Sequence, residues 1–78
     1  MTRDEYRAAL GQLALSQEEA GRILGVDGRT IRRWASGAVA VPMPIELIVR
    51  MWLELPELVD LAKRLARERD AKAQKRAA

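Results

Sequence analysis

The 78-residue chain has no cysteine, no histidine and no phenylalanine. Without cysteine there is no disulfide and no thiolate metal site. Without histidine, zinc would rest on carboxylates alone, which is unusual for a structural site. There is also no glycine-rich phosphate loop and no pair of acids in an evident pocket. An enzyme is therefore the least favoured reading, and no metal or other cofactor is expected. No apolar run approaches the roughly 20 residues needed to span a bilayer. The opening Met1-Thr2-Arg3-Asp4-Glu5 has no apolar run behind a basic stretch and is not a secretory signal. A cytoplasmic protein with no membrane partner is expected. The initiating Met and the tapering C-terminal tail are read as the ends of a complete protein.

The length allows one domain at most. A domain this small buries little more than half of its unfolded surface. Its stability must come from helix packing, for which a second subunit is one further source. The net charge is +3 but unevenly spread: −2 over residues 1–21, +3 over 22–37, −3 over 38–62 and +5 over 63–78. Two basic blocks on a near-neutral body point to a localised polyanion-binding surface.

Sustained period-two alternation is absent apart from Ala38-Val39-Ala40-Val41, which lies between Gly37 and Pro42 and reads as an extended loop. Everything else has helical spacing, and the expected class is all-α, a compact four- or five-helix bundle. Thr2 and Glu5 form a capping-box pattern ahead of a first helix running from about Arg3 to Gly11, with Tyr6, Ala9, Leu10 and Leu13 along one side. Ser16 and Glu19 repeat the pattern ahead of a second helix, whose apolar stripe is Ala20, Ile23 and Leu24. Gly25 ends it. Asp27 caps a third helix reaching about Ala35 and stopping at Ser36-Gly37. Pro44 suits the start of a fourth helix to about Leu55, and Pro56 starts a fifth bearing Leu58, Leu61, Ala62 and Leu65. Residues 1–66 are expected to form the folded domain. The basic tail, 67–78, favours helix by propensity but has nothing large to bury, and is expected to fray or to be disordered without a partner.

The stretch Leu15–Gly37 carries the functional signal. Two short helices meet at a tight glycine-containing turn, as in a helix-turn-helix. Small residues Ala20 and Gly21 sit where the helices would come closest, and Val26 and Ile31 would fill the angle between them. At 100° per residue, Ile31, Trp34 and Ala35 face inward, while Arg29, Arg32, Arg33 and Ser36 share an outward sector about 100° wide. Three guanidinium groups on one exposed face repel each other and give a folded protein nothing. A groove of guanine edges flanked by phosphates would offset that repulsion, because arginine bonds guanine O6 and N7 in bidentate fashion. Gly28 at the helix tip permits close approach to a duplex. Trp34 and Trp52 lie on apolar stripes and are assigned to core packing rather than to stacking on bases.

The residues Ser16-Gln17-Glu18-Glu19, Leu24-Gly25-Val26, Thr30-Ile31, Trp34 and Gly37 resemble the Cro/repressor-type (XRE, lambda-repressor-like) helix-turn-helix family, over about residues 3–55. Ala20-Gly21 stands where many members carry Leu-Ala, and Ala35 where many carry Glu. The resemblance implies a lambda-repressor-like bundle. It implies base reading from the positions of Gly28, Arg29 and Arg33, a phosphate contact by Gln17, and positions nearer phosphate for Thr30, Arg32 and Ser36.

The fourth helix is apolar nearly all round, so more than one of its sides should be covered. A homodimer through residues of about 44–66 is expected, with Ile48, Met51, Trp52, Leu55 and Leu58 at the interface; the alternative is that the fifth helix folds back and covers the fourth within one monomer. Dimers place two recognition helices about one duplex turn apart on an inverted repeat. The expected function is a sequence-specific double-stranded DNA-binding transcriptional regulator, most simply a repressor on a palindromic operator. Small members of this family include phage repressors, antitoxin-type regulators and the regulators that accompany anti-CRISPR genes. The alternative is an antitoxin-type or adaptor protein that holds a protein partner through the basic tail, with DNA binding secondary. A further rival is nonspecific nucleic-acid packaging.

Overall fold

In the computed structural model, residues 1–77 are described, with side chains described for 1–74. Five helices follow one another: α1 (Arg3–Gln12), α2 (Gln17–Leu24), α3 (Gly28–Ser36), α4 (Met43–Glu54) and α5 (Glu57–Ala77). No strand occurs among the described residues, and Ala38–Val41 is an irregular connection. No helix is long and apolar enough to cross a membrane.

Each start has a local chemical cause. Thr2 and Ser16 form complete capping boxes with Glu5 and Glu19. The Asp27 carboxylate accepts the Thr30 N–H at 2.7 Å. These contacts satisfy amides that a first turn leaves without helical partners. The start of α4 has no side-chain cap and relies on Pro44, whose fixed φ suits a first turn.

The ends differ. α1 closes in a Schellman motif, with Leu15 N–H donating to Leu10 O at 2.9 Å and Ala14 N–H to Gly11 O at 3.1 Å. This puts Ala14 at φ 54°, the left-handed region that favours glycine. α2 and α3 end on glycines suited to that region, Gly25 at φ 72° and Gly37 at φ 85°.

The core joins all five helices: Tyr6, Ala9 and Leu10 from α1, Ala20 from α2, Ile31 and Trp34 from α3, Val49 and Trp52 from α4 and Val59 from α5, with Leu15 and Val41 from the connections. Gly21 lies at the α2–α3 approach, where a Cβ would stand 3.0 Å from the Val26 carbonyl oxygen. A side chain there would push the turn back by a few tenths of an ångström. On α4, Glu46 pairs with the Met1 amine and with Arg50, holding the start of α1 against α4.

Two expectations need correction. The helix does not stop at residue 66: α5 continues to Ala77, and Ala78 lies outside the described residues. Two contacts that sequence spacing does not reveal support this extension. Ala66 is buried, and Arg69 reaches the end of α2. Trp52 is 3% exposed within one chain, so its surface is already spent on the monomer's core and is not free for an interface.

Replacing Ala14 by glycine is expected to raise stability by ~0.5–1 kcal/mol, the left-handed cost of alanine less the extra chain entropy of glycine. In a domain of this size, that is a rise of several degrees in Tm, about 4–8 °C per kcal/mol. A lower Tm for Ala14→Gly would show that the turn does not hold that conformation.

The carboxyls of Glu5, Glu19 and Asp27 are held below their ordinary values of 4.5, 4.5 and 3.8, chiefly because each accepts a backbone N–H, from Thr2, Ser16 and Thr30 respectively. Carboxyl groups depressed in the folded state stabilise it above their unfolded pKa, and that contribution disappears as pH falls through the depressed values. Tm should therefore drop as pH is lowered from about 5 towards 2, and less steeply in a Glu19→Gln, Asp27→Asn double variant. An identical acid slope in thermal melts of the two proteins would refute this assignment.

Candidate nucleic-acid interface

The outward face of α3 follows from its inward face. Ile31 is 1% exposed and Trp34 4%, which fixes the rotation of the helix about its axis. With these two residues anchored, Arg29, Arg32 and Arg33 are all exposed, and none forms a salt bridge among the described residues. The three arginines expected to share a face are thus all exposed and free of salt bridges among the described residues, with the Asp27 carboxylate at the helix start near enough to Arg29 to feel its charge.

Within this surface the residues are not equivalent. A Cβ on Gly28 would meet only the flexible end of Arg32, whose Nη1 lies 2.9 Å from that point. The guanidinium of Arg32 therefore lies back over the first turn of α3, in space the missing side chain leaves open. Thr30 is half-buried, and its backbone N–H is occupied by the Asp27 cap. Ser36 is exposed, but its hydroxyl donates to the Arg33 carbonyl at 3.1 Å and accepts the Ala38 N–H at 3.3 Å. Its one proton is committed to closing the end of α3, so it is not free as a donor to a phosphate.

Gln17 opens α2 and is partly exposed. Its Oε1 accepts a long hydrogen bond, 3.4 Å, from the hydroxyl of Tyr6. Burial pushes the Tyr6 phenol up to about 12, so it stays protonated and remains a donor at neutral pH. With Oε1 turned towards α1, the amide NH2 of Gln17 is the group left to meet a ligand. Tyr6 also meets Trp34 edge to face, with ring centroids 6.3 Å apart. One buried ring thus touches both the Gln17 side chain and the inward anchor of the arginine helix. Sequence spacing identified Tyr6 only as a core residue, because its hydroxyl partner lies on another helix.

Two further arginines were missed for the same reason. Arg3, at the start of α1, donates to the Ser36 carbonyl at 3.3 Å, and its side chain lies against Gly37. Arg69, on α5, donates to the carbonyls of Arg22 at 2.7 Å and Ile23 at 3.2 Å and lies against Gly25. Both helices of the α2–turn–α3 unit thus end on a left-handed glycine with a distant arginine placed over it.

A separate surface is apolar. Met43, Leu47 and Met51 recur every four residues along α4, with Leu55 just past its end, and are 74%, 61%, 45% and 51% exposed. Leu61 and Leu65 are exposed on α5. Of the residues expected at an interface, Met51 and Leu55 lie on this surface. Ile48 and Leu58 are partly buried and pack against the core.

No protein-family model, no curated protein and no solved structure gives a significant match to this chain.

Proposed function

We propose that the protein is a sequence-specific double-stranded DNA-binding regulator in which α2 and α3 act as a helix-turn-helix of the lambda-repressor-like kind. The observation that carries this reading is the face of α3: three exposed, unpaired arginines opposite a buried Ile31 and Trp34. Three arginines on one short helix, with a single carboxylate (Asp27) at its start, leave a net positive face that favours a polyanion. Their placement on one nine-residue helix matches the width of a major groove better than it matches a flat acidic surface. In this reading Arg29 and Arg33 read base edges, Gly28 lets the helix tip approach, and Arg32 serves a base or an adjacent phosphate. Gln17 contacts phosphate through its NH2 at the start of α2. Regulation is by occupancy, most simply repression by blocking polymerase, with no cofactor.

The second part of the proposal is a homodimer on an inverted repeat. Its support is the row of exposed apolar residues Met43, Leu47, Met51 and Leu55, with Leu61 and Leu65 also exposed on α5. The adaptor alternative draws on the same stripe, with a different protein seated there. In that alternative the basic segment after Lys63, helical to Ala77, would hold the partner as well.

Selection from a random duplex pool tests the DNA reading. The wild type should enrich an inverted repeat. Arg33→Ala should lose preference at one defined position in each half-site, at a cost of about 1–3 kcal/mol. Failure to enrich any sequence at moderate salt would refute sequence-specific binding and favour packaging or the adaptor.

Mass measurement in solution at micromolar concentration tests the dimer. Twice the chain mass is expected, falling to the monomer in Leu47→Glu, Met51→Glu. A wild-type monomer would remove the dimer from the proposal.

A further inference from the structure

The last turn of a helix leaves carbonyls without amide partners. In α2, the N–H groups of Gly25 and Val26 both return to the Gly21 carbonyl. In a full Schellman closure the first of these would go to the next carbonyl along, that of Arg22. Here Arg22 and Ile23 instead present their carbonyls to a guanidinium from the far end of the sequence. Arg69 Nη2 donates to Arg22 O at 2.7 Å, Nη1 to Ile23 O at 3.2 Å, and Nε to Asp70 Oδ1 at 3.2 Å. All three nitrogens are used, and the planar fork spans two successive carbonyls as a lysine could not. The cation also sits at the negative end of the helix dipole. Gly25, at φ 72°, is bare on the side where Arg69 lies, and a Cβ there would stand 3.2 Å from Nη1.

Gly25–Asp27 is the only connection between α2 and α3, and its geometry sets the direction in which α3 presents Arg29 and Arg33. Arg69 grips the helix end from which that connection leaves. The contact is also open to water: the side chains of Arg69 and Asp70 are 47% and 52% exposed. A half-exposed charged contact of this kind is screened and readily released.

We propose that Arg69 is a positioning residue for the reading helix, and that the distal part of α5 is a releasable latch on the α2–α3 turn. With the latch closed, the turn is held in the conformation that aims α3. With it open, the last turn of α2 loosens and the arginines lose their fixed direction. This rests on the DNA-binding reading above and adds a control element to it. Linkage then requires reciprocity: if docking of residues 67–74 strengthens DNA binding, DNA binding must strengthen that docking by the same factor.

The test uses the full-length chain and a duplex enriched by the wild type from a random pool. Arg69→Ala should keep its helical circular dichroism and a cooperative melt. Amide exchange should accelerate in residues 22–27, and affinity for the duplex should fall about fivefold, the low end of typical coupling between sites. Arg69→Lys, which restores the charge but not the fork, should lie between the two. Arg33→Ala, the control, should lose affinity with no change in exchange at 22–27. In the wild type, bound duplex should slow exchange in residues 67–74. Unchanged exchange at 22–27 in Arg69→Ala overturns the latch. Faster exchange there with unchanged affinity overturns the positioning role and leaves Arg69 as a helix cap. If the wild type enriches no duplex, the DNA reading falls and this role falls with it, while the exchange data still decide whether Arg69 holds the turn.

Discussion

Trp34 meets Tyr6 edge to face, with ring planes at 89°, and Ile31 lies a turn earlier on the same side of α3. An edge-to-face aromatic pair is worth about 0.5–1.5 kcal/mol beyond the area it buries. Its larger consequence here is geometric. A nine-residue helix has too few turns to be stable in isolation, and its rotation is set by what it buries. With Ile31 and Trp34 seated, Arg29, Arg32 and Arg33 fall on the exposed side of the helix. With Tyr6 seated, its hydroxyl reaches Gln17 on α2. The cationic face and the exposed amide at the start of α2 therefore share one buried origin.

A short helix also has a high proportion of end groups, and this protein closes the ends of its two central helices in the same way. α2 and α3 both stop at a left-handed glycine, and at both an arginine distant in sequence supplies donors to carbonyls of the last turn. The arginines come from opposite ends of the fold, Arg3 from the start of α1 and Arg69 from late in α5. The α2–α3 unit is thus held by its own core contacts and clamped from both chain ends. These clamps are exposed and individually weak, so they tune the geometry of the unit while the core supplies most of its stability.

The helix starts were legible in the sequence because capping is local. Thr2 with Glu5, Ser16 with Glu19 and Asp27 with Thr30 are each three residues apart, and the bonds they make in the structure are those the spacing implies. The face of α3 was legible because helical periodicity assigns Ile31 and Trp34 to one side and the arginines to the other. The extent of α5 was not legible. Nothing after Ala66 has the bulk that marks a packed helix, and the contact that anchors the segment joins residues 46 and 47 positions apart. Trp52 was read correctly as core, but placing it also at an interface asked one side chain to cover two surfaces.

Local chemistry in the sequence therefore determined where the helices begin, which side of each faces inward, and that three arginines share one exposed face. These depend on interactions within one or two turns, which spacing alone encodes. The tertiary structure decided which carbonyls Arg3 and Arg69 satisfy, which way the Gln17 amide faces, and how much of the α4 apolar surface stays uncovered. Each depends on groups brought together across the chain, and the direction and reach of a long side chain are set by the packing of the helix that carries it.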